Sequence, residues 1–168
     1  MKAVSNTTPL RYLIAIEQEH LFGKLFERVF VPVAVHEELT DARTPGNVRR
    51  RVASLPAWLE VRTVDETPLV TFPVTLHRGE RQAILLAEAL QADVLLIDEQ
   101  IGRTIALSRN IPLSGTLGVL ERADKVGLVK DFPQVLQRLK SGGFFITNVL
   151  EQQLLDRHRR RLRRSSLP

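Results

Sequence analysis

The sequence contains no cysteine among its 168 residues. This absence excludes a disulfide framework, a thiolate zinc site and a cysteine nucleophile. No stretch reaches the roughly 18 consecutive apolar residues that a membrane-spanning helix needs. The first ten residues also lack the basic and then apolar layout of a secretion signal. We therefore expect a cytoplasmic protein with no membrane partner.

Several common catalytic motifs are missing as well. The four histidines have no spacing typical of a zinc site. No histidine is placed to serve Ser5 or Ser114 as a base, and no glycine-rich phosphate loop or dinucleotide fingerprint opens a helix. The sequence therefore gives no indication of zinc hydrolysis, serine-triad chemistry or nucleotide binding.

The charge is concentrated at one end of the sequence. The net charge is +5, but six arginines and no acid lie between Arg157 and Arg164, which leaves residues 1–156 with 18 basic and 19 acidic side chains. Residues 1–156 have the length of one folded domain. Residues 157–168 are predicted to be a basic, disordered C-terminal tail. Such a tail either stays solvated or attracts phosphate groups by counterion release.

Short apolar segments alternate with helical patterns through most of the chain. Strands are predicted near residues 2–5, 29–32, 58–64, 94–97 and 111–113, with helices between them and an irregular connection over 67–76. The run at 94–97 is continuously apolar, which is typical of a parallel strand covered on both faces. The pattern indicates an α/β fold with a central, mostly parallel sheet.

Acidic and amide side chains occur where such a sheet would bind a ligand. Asn6 follows the first predicted strand, and Asp98 and Glu99 follow the strand at 94–97. Glu80 shares a helix stripe with the apolar residues three, four and seven positions later, and Glu38 lies on the inner side of its own helix. Taken singly, each acid is explained by helix capping or by the helix dipole.

Carboxylates that converge need a compensating charge. They repel one another unless a cation or a shared proton intervenes. Mg²⁺ and Mn²⁺ prefer oxygen ligands, and such an ion can promote hydrolysis of a phosphodiester. The acids therefore predict a divalent-metal site.

Two further groups of polar residues are candidates for roles beside this site. Ser114 and Thr116 are peripheral, and they form either an anion nest or a helix cap. Four arginines are candidate nucleic-acid contacts, with a solvated surface as the alternative: Arg49, Arg50, Arg51 and Arg103.

Five motifs in a fixed order carry a family resemblance. They are Val4-Ser5-Asn6-Thr7-Thr8-Pro9-Leu10, Val31-Pro32-x-x-Val35-x-x-Glu38-Leu39, Gly79-Glu80-x-x-Ala83-Ile84, Leu95-Leu96-Ile97-Asp98-Glu99 with Gly102-Arg103, and Ser114-Gly115-Thr116-Leu117-Gly118-Val119-Leu120. Together they resemble a prokaryotic branch of the PIN-like superfamily that is related to toxins of the VapC type.

The resemblance implies a three-layer α/β/α fold and a ribonuclease that depends on Mg²⁺ or Mn²⁺. It also implies a toxin role beside a small antitoxin protein, and a homodimer. The family's catalytic and metal-binding acids fall on Glu38, on Glu80 and on the pair Asp98 and Glu99, either of which fills the last position.

One position departs from the family pattern. The branch ends its first strand in Ser-Asp-Thr-Ser-Pro-Leu, so Asn6 stands where an aspartate is expected. An amide oxygen is a poorer ligand for Mg²⁺ than a carboxylate. The sequence therefore predicts weakened ribonuclease activity, or alternatively an inactive module that binds RNA or protein.

Overall fold

The computed structural model describes residues 1–66 and 71–165. Residues 67–70 of the predicted connection and 166–168 of the predicted tail lie outside the described residues. The strands are β1 (Lys2–Ser5), β2 (Arg28–Pro32), β3 (Leu59–Arg62), β4 (Val94–Leu96) and β5 (Leu113–Ser114). The helices are α1 (Thr7–Ala15), α2 (His20–Leu25), α3 (Val33–Thr40), α4 (Gly46–Ala53), α5 (Arg78–Ala89), α6 (Gln100–Ser108), α7 (Thr116–Lys125), α8 (Phe132–Ser141) and α9 (Asn148–Ser165).

The contacts divide the chain into two compact units. Unit 1 runs to Thr116 and unit 2 begins at Leu117. The domain boundary predicted from the sequence lies after residue 156 and does not coincide with the division between the two units. It stays a prediction. None of the described helices combines the length and the apolar character that crossing a membrane requires.

The five strands form one parallel sheet in unit 1. Their order is β3-β2-β1-β4-β5, so β1 lies in the middle, with Val4 opposite Phe30 on one side and Leu95 on the other. Helices connect the strands, as parallel pairing requires. The prediction of an α/β fold with a parallel central sheet is confirmed.

The core of unit 1 fixes the orientation of α5. Ala83, Ile84 and Ala87 are almost fully buried and pack in one cluster with Leu95 and Ile97 of the sheet region. Burying an isoleucine or leucine side chain contributes about 1.5–3 kcal/mol. This packing keeps the stripe that carries Glu80 turned inward.

Unit 2 extends α9 through most of the segment that was predicted to be disordered. Arg157 forms an ion pair with Glu121 at 2.6 Å, and the ring of His158 stacks on Phe132 at 5.2 Å while its nitrogen lies 2.9 Å from Asp124. These partners offset charge in the arginine run and supply packing. The prediction of disorder is therefore wrong for residues 157–165, which are helical.

Candidate functional site

A cavity of about 490 Å³ lies beyond the carboxyl ends of the central strands in unit 1. We call it the acid cavity. It brings together four of the residues predicted for the site: Asn6, Glu38, Glu80 and Glu99. The other residues that line it are Thr7, Thr8, His77 and Arg78.

Asn6 joins the end of β1 to Glu99. Its Oδ1 accepts a hydrogen bond from the backbone N–H of Thr7 at 2.5 Å, and its Nδ2 donates to Glu99 Oε2 at 2.7 Å. Only this orientation of the amide satisfies both neighbours, because the reverse would set N–H against N–H and oxygen against carboxylate. Asn6 therefore presents a donor, not an oxygen ligand, to the acid cavity.

The threonines after Asn6 hold two of the acids. The hydroxyl of Thr8 donates to the second oxygen of Glu99, and the hydroxyl of Thr7 donates to Glu38 Oε2. Glu38 also approaches α5 closely: a Cβ on Gly79 would lie 2.6 Å from its Oε1. Glycine at position 79 therefore leaves room for the Glu38 carboxylate.

Glu80 is the most enclosed acid of the cavity, with only 6% of its surface exposed. Burial raises its pKa, a hydrogen bond from the backbone N–H of His77 at 2.8 Å lowers it, and the charges of Glu99 and Glu38 raise it again. The three carboxylates thus act on one another electrostatically. The acid cavity is a region of negative potential.

Asp98 points to a different partner. Its two oxygens accept hydrogen bonds from the backbone N–H and the hydroxyl of Thr116, at 2.9 and 2.6 Å. Burial raises the pKa of Asp98, while the bonds from Thr116 and the charge of Arg103 lower it. Asp98 is not among the residues that line the acid cavity, so Glu99 is the member of the pair that faces it.

Two of the other candidate residues are explained by these contacts. Both donors of Thr116 are occupied by Asp98, as in a capping interaction and not as in an open anion nest. Arg103 donates to the backbone oxygen of Ile97 at 2.8 Å. Ser114 lies in β5 and does not line the acid cavity.

The arginines predicted to contact nucleic acid do not line the acid cavity. Arg50 and Arg51 line a separate cavity, where Arg51 lies 3.4 Å from Glu19. Arg49 donates to the backbone oxygen of Ala42 at 3.2 Å. The cation that does line the acid cavity is Arg78, which also contacts Glu37 at 3.1 Å.

Sequence analysis missed Thr7, Thr8, His77 and Arg78 as members of the site. Two signals were available. Thr7 and Thr8 stand in the same first turn as Asn6, and His77 lies three residues before Glu80, which is the spacing of a capping box. Nothing in the pattern distinguished Arg78 from the other arginines.

The donor set suits a hard divalent cation. It offers carboxylate and hydroxyl oxygens, which Mg²⁺ and Mn²⁺ prefer. Within residues 1–66 and 71–165, however, no three His, Asp or Glu side chains form a ready-made metal-binding group. The carboxylates instead accept hydrogen bonds from Thr7, Thr8, Asn6 and the backbone of His77, and a cation would compete with these donors.

Comparisons with known proteins bear on the family to which the chain belongs. A search of curated proteins gave no match. A solved structure, a PilT N-terminus domain protein from the hyperthermophilic archaeon Sulfolobus solfataricus P2, is similar to this chain with 12% identity and a TM-score of 0.48, covering 88% of this chain and 98% of that one. The family model DUF3368, described as a PIN domain, matches residues 2–160. The chain therefore belongs to this family of PIN domains.

Proposed function

We propose that this protein is a divalent-metal-dependent endoribonuclease whose activity is weakened by Asn6. PIN domains are generally nucleases and generally use divalent metals. The observation that carries the proposal is that Glu38, Glu80 and Glu99, which lie far apart in the sequence, line one cavity. Phosphodiester hydrolysis at such a site needs little covalent chemistry from the protein, so positioning and charge dominate.

The residues of the acid cavity have different proposed roles. Glu38, Glu80 and Glu99 would hold Mg²⁺ or Mn²⁺, and a bound ion would supply stabilisation for the negative charge that develops on the phosphodiester. Arg78 supplies a guanidinium at the same cavity, which suits a phosphate oxygen. The hydroxyls of Thr7 and Thr8 orient Glu38 and Glu99.

Asn6 weakens the site because its side-chain amide places a hydrogen-bond donor where a carboxylate charge is expected. In the folded chain its Nδ2 satisfies Glu99, which reduces the need for a cation there. An aspartate at position 6 would set a second carboxylate against Glu99, and the repulsion would be relieved by binding a cation. We therefore expect the Asn6→Asp variant to bind the metal ion more tightly than the parent does.

The second candidate is a catalytically inactive PIN module that binds RNA or a small antitoxin protein. Asn6, Thr7 and the backbone of His77 already donate hydrogen bonds to these carboxylates, and a cation would have to compete with them, which favours this reading. For both the nuclease and the binding module, we also propose a toxin role, a small antitoxin partner and a homodimer. Co-purification with the product of a neighbouring gene would test the antitoxin, and light scattering would test the dimer.

The deciding experiment incubates purified protein with mixed RNA in Mn²⁺, with EDTA as the control. We compare the parent with Asn6→Asp and Glu80→Gln, all purified in the same way. The expected result is slow cleavage by the parent, about tenfold or more faster cleavage by Asn6→Asp, and none above background by Glu80→Gln. If the parent cleaves RNA and Asn6→Asp is no faster, the weakening by Asn6 is abandoned.

Calorimetry separates the two candidates where no cleavage is seen. Mg²⁺ is titrated into the parent and into three variants, Asn6→Asp, Glu99→Gln and Asp98→Asn. Heat from the parent that Glu99→Gln loses and Asp98→Asn keeps supports a metal site in the acid cavity. No heat from the parent or from Asn6→Asp favours the inactive binding module.

A further inference from the structure

Unit 2 contains a cavity of about 320 Å³ that is lined, among the described residues, by cations alone. The lining residues are Lys125, Arg157, Arg160, Arg161 and Arg164. We call this surface the arginine face. The four arginines are spaced i, i+3, i+4 and i+7 on α9, which places them on one side of the helix, and Lys125 is contributed by α7.

Like charges at this spacing repel one another, so the inner part of the arginine face needs compensation. Two acids supply it. Glu121 accepts from Arg157 at 2.6 Å, and Asp124, which is only 6% exposed, pairs with Arg161 and lies 2.9 Å from His158. These contacts join α9 to α7 within unit 2, so the arginine face is formed before any ligand arrives.

The outer part of the arginine face keeps its charge. Arg160 and Arg164 are exposed, and among the described residues neither has an acidic partner. Lys125 is 3.8 Å from Glu121, which Arg157 already engages. Residues 117–168 carry 11 basic and 5 acidic side chains, a net of +6, whereas residues 1–116 carry 13 and 14, a net of −1.

The chemistry of the face identifies its ligand. Guanidinium groups form paired hydrogen bonds with phosphate oxygens, and several on one helix side match a chain of phosphates. A membrane surface would also require apolar side chains to insert. Among the described residues no aromatic or aliphatic side chain lines the cavity, and the exposed Leu162 and Val126 lie outside its lining. A protein partner would bury an apolar centre, which this face does not offer.

We propose that the arginine face binds the sugar-phosphate backbone of a nucleic acid, without reading its bases. Arg160, Arg164 and Lys125 make the phosphate contacts, and Arg157 and Arg161 are held in place by Glu121 and Asp124. This binding is separate from the chemistry of the acid cavity. It persists when a carboxylate of that cavity is removed.

The test measures binding of a fluorescein-labelled single-stranded RNA of about 20 nucleotides by anisotropy, in EDTA, across about 50–200 mM salt. The full chain is compared with Arg160→Ala/Arg164→Ala. The matched control is Arg159→Ala/Arg163→Ala, which removes the same charge from the same helix but not from the cavity. A Glu80→Gln protein separates this binding from the acid cavity, and thermal melts confirm that each variant is folded.

The expected result is about a tenfold or larger loss of affinity for Arg160→Ala/Arg164→Ala, with a salt dependence shallower by about 1.4 units for two lost phosphate contacts on a single strand. The control double variant loses less than about threefold, and Glu80→Gln binds like the parent. Equal losses in the two double variants would overturn the proposal, since only total charge would then matter. So would a parent that binds phosphatidylserine vesicles through Arg160 and Arg164 but does not bind RNA.

Discussion

The two units each contain a cluster of like charges, but they stabilise it with different kinds of partner. In the acid cavity, the carboxylates are held by uncharged donors, namely the hydroxyls of Thr7 and Thr8, the amide of Asn6 and the backbone of His77. In unit 2, the inner arginines are held by full opposite charges on Glu121 and Asp124. Neutral donors leave the net charge of a cavity unchanged, whereas ion pairs remove part of it.

This difference decides what each region can do. The acid cavity holds the three carboxylates of Glu38, Glu80 and Glu99 beside the guanidinium of Arg78, so acids outnumber this cation and the cavity remains an attractive site for a metal ion. Unit 2 neutralises its buried charges and leaves the excess on exposed arginines, which suits a large polyanion. The following four substitutions test the contrast, from the largest expected effect to the smallest.

Asp124→Ala should have the largest effect on stability. It leaves Arg161 and His158 without their shared, nearly buried acid, and removing one partner of a buried ion pair typically costs about 3–5 kcal/mol. The free energy of unfolding is measured in urea by circular dichroism. Asp156→Ala, which removes an exposed acid beside Arg159, is the control and should cost at most about 1 kcal/mol. Equal losses would show that ion pairing does not hold α9.

Asn6→Asp should destabilise the metal-free protein by about 1–3 kcal/mol. The substitution replaces the donor that faces Glu99 with a second carboxylate. Unfolding is followed at neutral pH in EDTA and again in Mn²⁺, which should restore most of the loss. Asn148→Asp, at the exposed start of α9, adds the same charge away from the cavity. A loss that Mn²⁺ does not reduce would count against a cation site.

Gly79→Ala should separate stability from metal binding. The new Cβ would meet the Glu38 carboxylate at 2.6 Å, and the carboxylate, at the end of a flexible side chain, would have to move. We expect a change in stability below about 1 kcal/mol, together with a several-fold weaker stabilisation by Mn²⁺ in thermal melts. Gly46→Ala, at the start of α4, should leave the effect of Mn²⁺ unchanged. An unchanged response in Gly79→Ala would mean that Glu38 does not hold the ion.

Glu80→Gln should have the smallest effect, and one that depends on pH. Burial raises the pKa of Glu80 above its ordinary value of 4.5, so its ionised form is disfavoured in the folded chain. This cost is absent well below pH 4.5, grows as the pH rises through the raised pKa, and is complete above it. In EDTA, the variant should therefore melt slightly higher than the parent at pH 8 and together with it at pH 4. A constant difference at both pH values would contradict this origin.

Local patterns predicted the sheet and four of the eight residues that line the acid cavity. Glu80 was placed by the apolar stripe that it shares with Ile84, and Asn6 by its position after the first strand. The choice between Asp98 and Glu99 could not be made, because it depends on Thr116, eighteen residues away in the sequence. Spacing along one helix determines which face a side chain shares, but not which of two adjacent acids finds a distant donor.

The arginine run shows the same limit: a local pattern does not reveal partners that are distant in the sequence. A segment of six arginines without an acid predicts repulsion and disorder when it is considered alone. The acids that make it helical, Glu121 and Asp124, lie more than thirty residues earlier and belong to a different helix. The ring stack of His158 on Phe132 adds packing that no local pattern indicates.

The central position of β1 has a consequence for how the protein is made. β1 pairs with β2, which follows soon after it, but its other edge pairs only with β4, some ninety residues later in the chain. The contact of Asn6 with Glu99 spans the same interval. During synthesis on the ribosome, the cavity therefore cannot close until β4 and Glu99 have left the exit tunnel, and such long-range pairing is slow to form. The growing chain should remain without a complete cavity until well over half of these residues have been translated.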